Sequence, residues 1–260
     1  MFRSGNPRPA GDADAILKQG KKFYEELSPE TGVFFNKMLD DQLMDVLSTP
    51  GKAGGGYCTS LGDYDMPFIF ANFNGTQHDV EVVTHEAGHA FAAYMNRDRI
   101  PYSYVWPSME ACEVHSMSME FFAWPWADGF FGADARKFRY SHLAGALTFI
   151  PYGTMVDHFQ HIVYEHPELT PAQRHEEWKK LAAIYQPWMR LDGEIPFYAR
   201  VSTGSARCTF IRARSTTSTT VWPRPSACSS GRCCKRTAPM RGATTWPTRS
   251  RAAAAPSPNC

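Results

Sequence analysis

Beyond Glu194 the 260-residue chain contains no aspartate or glutamate, and beyond His175 it contains no histidine. The formal net charge of +1 hides this gap. All 26 acidic residues lie in 1–194 with 16 Lys and Arg, a net −10, whereas 195–260 carry 11 Lys and Arg and stand at +11. Chemistry that needs carboxylates or imidazoles therefore belongs to the first 194 residues. Long apolar runs are missing as well. There is no N-terminal stretch of signal-peptide type and none long enough to span a bilayer, so membrane partners are not expected and a cytoplasmic location is. The near-zero net charge gives no reason to expect a nucleic-acid partner. Cysteine is scarce in the body of the chain. Only Cys58 and Cys112 precede residue 200, while Cys208, Cys228, Cys233, Cys234 and Cys260 follow it. That distribution is no disulfide framework, and Cys58 and Cys112 read as free thiols of an intracellular protein. No internal repeat is evident, and nothing specifies an oligomeric state.

The length suits one large domain or two small ones, and 43% hydrophobic with 13% aromatic residues allow a sizeable core. The chain is organised around Thr84-His85-Glu86-Ala87-Gly88-His89-Ala90, which reads H-E-x-x-H. On a helix, His85 and His89 stack on one face about a turn apart. Two imidazoles so spaced can hold one zinc ion, and Glu86 beside them can take a proton from metal-activated water. Apolar flanks, Val80 to Val83 and Ala90 to Tyr94, extend a helix through the motif. The plainer alternative is a buried amphipathic helix whose two histidines find hydrogen-bond partners.

Taken in order, residues 1–11 are rich in Gly and Pro and read as disordered. Asp12 to Leu27 suits a helix. Ser28-Pro29-Glu30 starts another, with Phe34, Met38, Leu39, Leu43 and Val46 at helical spacing until the glycine-rich stretch 51–56 breaks it. Gly54, Gly55 and Gly56 let a backbone pass close to a ligand or another strand, or form a hinge. Pro67 to Phe73 reads as a short strand ended by Asn74-Gly75, a usual place to hold an extended peptide by backbone hydrogen bonds. After Pro101 and Pro107, Ser108 opens a largely apolar helix from Met109 to Phe122. Glu113 lies 24 residues after His89 and suits a third ligand from a separate helix, with Glu110 one turn earlier as its rival. Glu120, seven residues on, falls on the same face and suits a carboxylate that orients a ligand. Two His and one Glu complete a catalytic set with an open fourth position, so His115 reads as a supporting histidine. Residues 133–165 read as two helices around Pro151-Tyr152-Gly153. Asp157, His158 and His161 offer a second metal site or, better, a satisfied structural pair. Thr170-Pro171-Ala172-Gln173 is a capping box that starts a helix to about Tyr185, and Asp192-Gly193 is a turn. The fold class is mainly α, with a short β element before the H-E-x-x-H helix.

Residues from about 31 to 200 resemble the C-terminal catalytic part of oligoendopeptidase F, in the thimet oligopeptidase family of zinc metallopeptidases. The stretches that carry the resemblance are GKAGGGYC (51–58), PFIFANFNGT (67–76), THEAGHAF (84–91), EACEVHSMSMEFF (110–122) and FQHIVYEHPELTP (159–171). The resemblance implies a helical zincin-type metallopeptidase domain with a deep channel. It implies an endopeptidase that cleaves short unstructured peptides with one Zn(2+) per chain. It implies His85, His89 and Glu113 as zinc ligands and Glu86 as general base. It lays Gly54 to Gly56 and Phe68 to Asn72, Phe70 included, along the substrate backbone. Members carry a long helical N-terminal region that is mostly absent here, so the chain reads as a fragment. They also carry a downstream His- and Tyr-rich segment near W-Q-R-Q-x-H-I-Y that steadies the tetrahedral intermediate, and nothing of the kind follows Tyr198.

Residues 203–260 read as an out-of-frame translation, leaving 12–202 as a partial catalytic domain. If permitted codons are chosen for Thr203 to Arg224, and each new codon takes the last base of one and the first two of the next, the result is W-Q-R-Q-V-H-I-Y-T-S-P-F-Y-Y-I-D-Y-C-L-A-Q. That string resembles the missing segment. The competing reading is a basic disordered tail that binds RNA or acidic partners. For the whole chain, the two functions to separate are an impaired zinc endopeptidase and a non-catalytic zinc- or peptide-binding fragment.

Overall fold

The structure, a computed structural model, describes residues 2–109 and 111–189. Glu110, the Asp192-Gly193 turn and the tail from 203 lie outside the described residues. The described residues form two compact units, 2–142 and 143–189. The described residues are mostly helical, with one three-stranded sheet.

In the first unit, α1 (Ala13–Leu27) begins where the Asp12 carboxylate accepts the Ala15 N–H at 3.0 Å. Ser28 caps α2 (Pro29–Asp40) in the same way, with Pro29 at the first helical position. The two helices bury Ile16, Phe23 and Tyr24 against Phe34, Phe35 and Met38. Tyr24 and Phe35 stack at 4.4 Å. The Tyr24 hydroxyl also reaches the carbonyls of Val83 (3.4 Å) and Thr84 (3.5 Å), just before His85.

The helical spacing that runs on to Val46 is overturned. The helix stops at Asp40 because Gln42 takes φ 54°, which no right-handed helix accommodates. The chain leaves as β1 (Met44–Leu47), which pairs parallel with the central β3 (Met66–Phe73). Between them lies β2 (Tyr57–Leu61), antiparallel on the other side of β3, a strand the sequence reading passed over. The two-residue period of β3 turns Ile69, Ala71 and Phe73 into the core and Phe68, Phe70 and Asn72 to the opposite face.

The turn Asn74-Gly75, with Gly75 at φ 78°, feeds α3 (Gln77–Asn96). The buried Asp79 carboxylate accepts the N–H groups of Asn74 (3.1 Å) and Gly75 (2.7 Å), locking strand to helix. Next comes α4 (Cys112–Phe122), starting three residues later than expected. The Ser108 carbonyl holds the N–H groups of Ala111 and Cys112 in the preceding turn. A short α5 (Ala127–Phe131) precedes α6 (Ala135–Glu165).

The two helices expected around Pro151 are one, with Pro151 inside it. A proline removes a single ladder bond, and the threonines either side add bonds of their own, Thr148 to Ala144 and Thr154 to Ile150. The second unit packs Met155 and Val156 of α6 against Trp178, Leu181 and Ala182 of α7 (Pro171–Tyr185), which opens on the expected Thr170–Gln173 capping box. Among the described residues no helix is long and apolar enough to cross a membrane.

Candidate metal centre

The centre forms where α3 crosses α4. The crossing is close because Gly88 lies on it: a Cβ there would sit 2.7 Å from the Ser116 Cα and 3.3 Å from the His115 carbonyl oxygen. Only a residue without a side chain lets the two backbones approach so far. That approach brings Glu113, in the first turn of α4, onto the two histidines of α3. The Nε2 atoms of His85 and His89 lie 3.1 and 3.5 Å from the same Glu113 oxygen. One ligand atom from each residue falls within 4.8 Å of the others. Two imidazole nitrogens and a carboxylate oxygen converging on one point are a donor set suited to zinc. The structure therefore brings together three of the residues singled out from sequence. Among the described residues no other such cluster of three forms. His158 instead bonds the Tyr185 hydroxyl at 3.1 Å, and His161 faces Asp157 at 3.7 Å.

The charges in the centre hold one another. Burial lowers the proton affinity of His85, but hydrogen bonds to Glu113 and Glu120 outweigh it and push its pKa up to about 10. Burial raises Glu113, and the two histidines pull it well below the carboxylate range. Glu120 is likewise raised by burial and brought down to about 2 by His142 and His85. Glu86 differs: it is 9% exposed, and its burial raises its pKa despite the opposing pull of His85 and His89. Cys58 on β2 feels burial and then the Glu86 charge, both of which push its thiol up. Cys58 is a free cysteine, and the Cys112 thiol lies 3.0 Å from the Met109 carbonyl oxygen. His115 packs edge-on against His89 at 5.5 Å, and burial drives its pKa down to about 3. It stands outside the ligand set.

Behind His85 the structure adds residues that the sequence did not single out. Glu120 Oε1 lies 2.6 Å from His85 Nδ1, as expected of an orienting carboxylate. Its other oxygen lies 2.6 Å from His142 Nε2, and the Trp124 indole N–H donates to His142 Nδ1 at 3.1 Å. His142 sits on the next long helix, 22 residues from Glu120, and no spacing rule links the two.

The glycine segment sits beside β3. Both bonds of the Asn72 amide go to it, to the carbonyls of Ala53 (2.8 Å) and Gly55 (2.9 Å). Gly56 passes close to the Phe70 carbonyl, where a Cβ would lie at 3.4 Å. The Phe70 ring stacks on Tyr57 at 5.1 Å and lies under the Lys52 ammonium at 4.6 Å.

Residues 22–203 match the model of Peptidase family M3. The structure is similar to that of PZ peptidase A with inhibitor 2, at 48% identity and a TM-score of 0.77, over 89% of this chain and 40% of that one. It is also similar to a structure assigned to oligoendopeptidase F of Bacillus anthracis str. Ames, at 44% identity and a TM-score of 0.70, over 89% of this chain and 44% of that one. The chromosomal oligoendopeptidase F of Lactococcus lactis subsp. cremoris is 35% identical over 83 residues, 32% of this chain and 13% of that protein. The chain thus spans less than half the length of each of these relatives.

Proposed function

This chain belongs to peptidase family M3, and from that premise we propose that it is a zinc-dependent endopeptidase acting on short unstructured peptides. The observation that carries the reading is the convergence of His85 and His89 Nε2 on one Glu113 oxygen, with the buried Glu86 beside them. His85, His89 and Glu113 would hold one zinc ion per chain. When bound, the metal supplies Lewis acidity, which polarises a peptide carbonyl and acidifies water. Glu86 accepts the proton of the attacking water and returns it to the leaving amine. Its raised pKa moves it toward the range in which a carboxylate serves as a base near neutrality. Gly54 to Gly56 lie along the substrate backbone, with Asn72 holding that segment in shape and Phe70 forming its floor. The free thiol of Cys58 supports a cytoplasmic location.

The test is cleavage of a quenched fluorescent peptide of about eight residues, a length suited to an extended, backbone-held substrate. Turnover that depends on zinc and falls about 100- to 10,000-fold in Glu86→Gln is the expected result. Turnover untouched by Glu86→Gln overturns the assignment of the base. The second reading is zinc and peptide binding without turnover. Stoichiometric zinc with no cleavage selects that one.

The family match ends at residue 203, where the alternative-frame string begins. That coincidence supports an out-of-frame origin for residues 203–260. Coding DNA that cannot be read in the second frame sinks the idea.

A further inference from the structure

We infer that Trp124 and His142 select which nitrogen of His85 is offered to the metal, acting through Glu120. This inference rests on the zinc reading of the site. At the outer end stands an indole N–H, which donates and never accepts. Trp124 points that donor at His142 Nδ1, 3.1 Å away, so Nδ1 must present its lone pair. The proton of His142 is then on Nε2, which lies 2.6 Å from Glu120 Oε2 and donates to it. Glu120 receives that bond as a carboxylate, and its other oxygen accepts from His85 Nδ1 at 2.6 Å. With Nδ1–H committed to Glu120, the only lone pair His85 can give a metal is on Nε2. That is the nitrogen facing Glu113 at 3.1 Å.

Each link is held in place. The His142 side chain is 5% exposed, stacked on Phe138 and packed against Phe121. Arg139 grips the Trp124 carbonyl with two N–H groups, at 3.1 and 3.0 Å. The other imidazole ligand has no such support: His89 Nδ1 is buried with no hydrogen-bond partner among the described residues. Orientation is therefore delivered through His85. Trp124 and His142 are positioning residues that touch neither substrate nor metal.

The experiment uses the full chain labelled with nitrogen-15 at histidine. Ring-nitrogen shifts of the unaltered, metal-free protein should show His142 protonated on Nε2 alone, and zinc loading should leave His85 protonated on Nδ1. In Trp124→Phe nothing bars a proton from Nδ1, and the same spectrum should show part of the His142 population protonated there while Nε2 keeps its own proton toward Glu120. Zinc affinity is then measured by competition with a chromophoric chelator. His142→Leu should lose about tenfold, the low end for a group behind a ligand, and His142→Gln, whose amide donates from the same place, should stay within about threefold. A His142 protonated on Nδ1 overturns the inference even if no variant folds. So does a folded His142→Leu that binds zinc as tightly as the unaltered chain. If the unaltered chain takes up no zinc, the zinc reading falls and this inference falls with it; the two failures are thus distinguishable.

Discussion

His85 is held by two carboxylates in different ways. Glu120 keeps a proton on Nδ1, while Glu113 stabilises a second proton on Nε2 until a metal displaces it. With its pKa pushed up to about 10, His85 is doubly protonated at neutral pH in the metal-free protein. Zinc uptake should therefore release about one proton per ion, which calorimetry in buffers of different ionisation enthalpy will show. Zinc affinity should rise with pH until near 10, since the competing proton is lost there. The sign for stability is the opposite. A pKa raised above the ordinary histidine value favours the charged form, so this contribution to the metal-free fold is complete below about pH 6.5 and disappears as pH rises through about 10. At the same scale, the pairing of His85 with His89 was readable from spacing alone, because the two share one helical element, whereas spacing left Glu113 and Glu110 both open. His142 was not readable, because its link to Glu120 runs between two helices.

The element that decides the site is the α3–α4 crossing, and Gly88 decides the crossing. Gly88→Ala gains helix propensity but sets a methyl group 2.7 Å from the Ser116 Cα, a backbone atom that cannot swing aside. α4 must then shift and carry Glu113 with it. The expected outcome is a loss of about 1–3 kcal/mol in denaturant unfolding, as for other overpacked positions, together with weaker zinc binding. A variant as stable and as zinc-avid as the original would show that the crossing tolerates a wider spacing. The sequence motif names position 88 only as a free letter of H-E-x-x-H. The end of α2 and the start of β1 are decided at this scale too. Leu43 and Val46 recur at helical spacing, yet Gln42 at φ 54° diverts the chain into a strand. A four-residue strand has too few side chains to show its period.

For the whole molecule, a ligand that binds only the folded centre stabilises it by mass action. Zinc at about 100 times its dissociation constant should add about 2.7 kcal/mol. A chelator should remove that gain, and Glu113→Ala should show neither effect in thermal unfolding. Restoring the second reading frame after residue 202 tests the largest-scale proposal. If the restored segment supplies oxyanion donors, each should raise turnover about 100- to 1,000-fold over the present chain. Equal turnover in the two forms would count against that proposal.

The sequence by itself determined the helical class, the placing of His85 and His89 on one helical face, and the break in composition after residue 194. Those features are local: a period, a spacing, a count. The tertiary structure alone decided that Glu113 meets the two histidines, that Gly88 permits it, and that Trp124 and His142 stand behind Glu120. Those are contacts between separate elements, and their distances follow from how closely two helices pack rather than from any pattern along one of them.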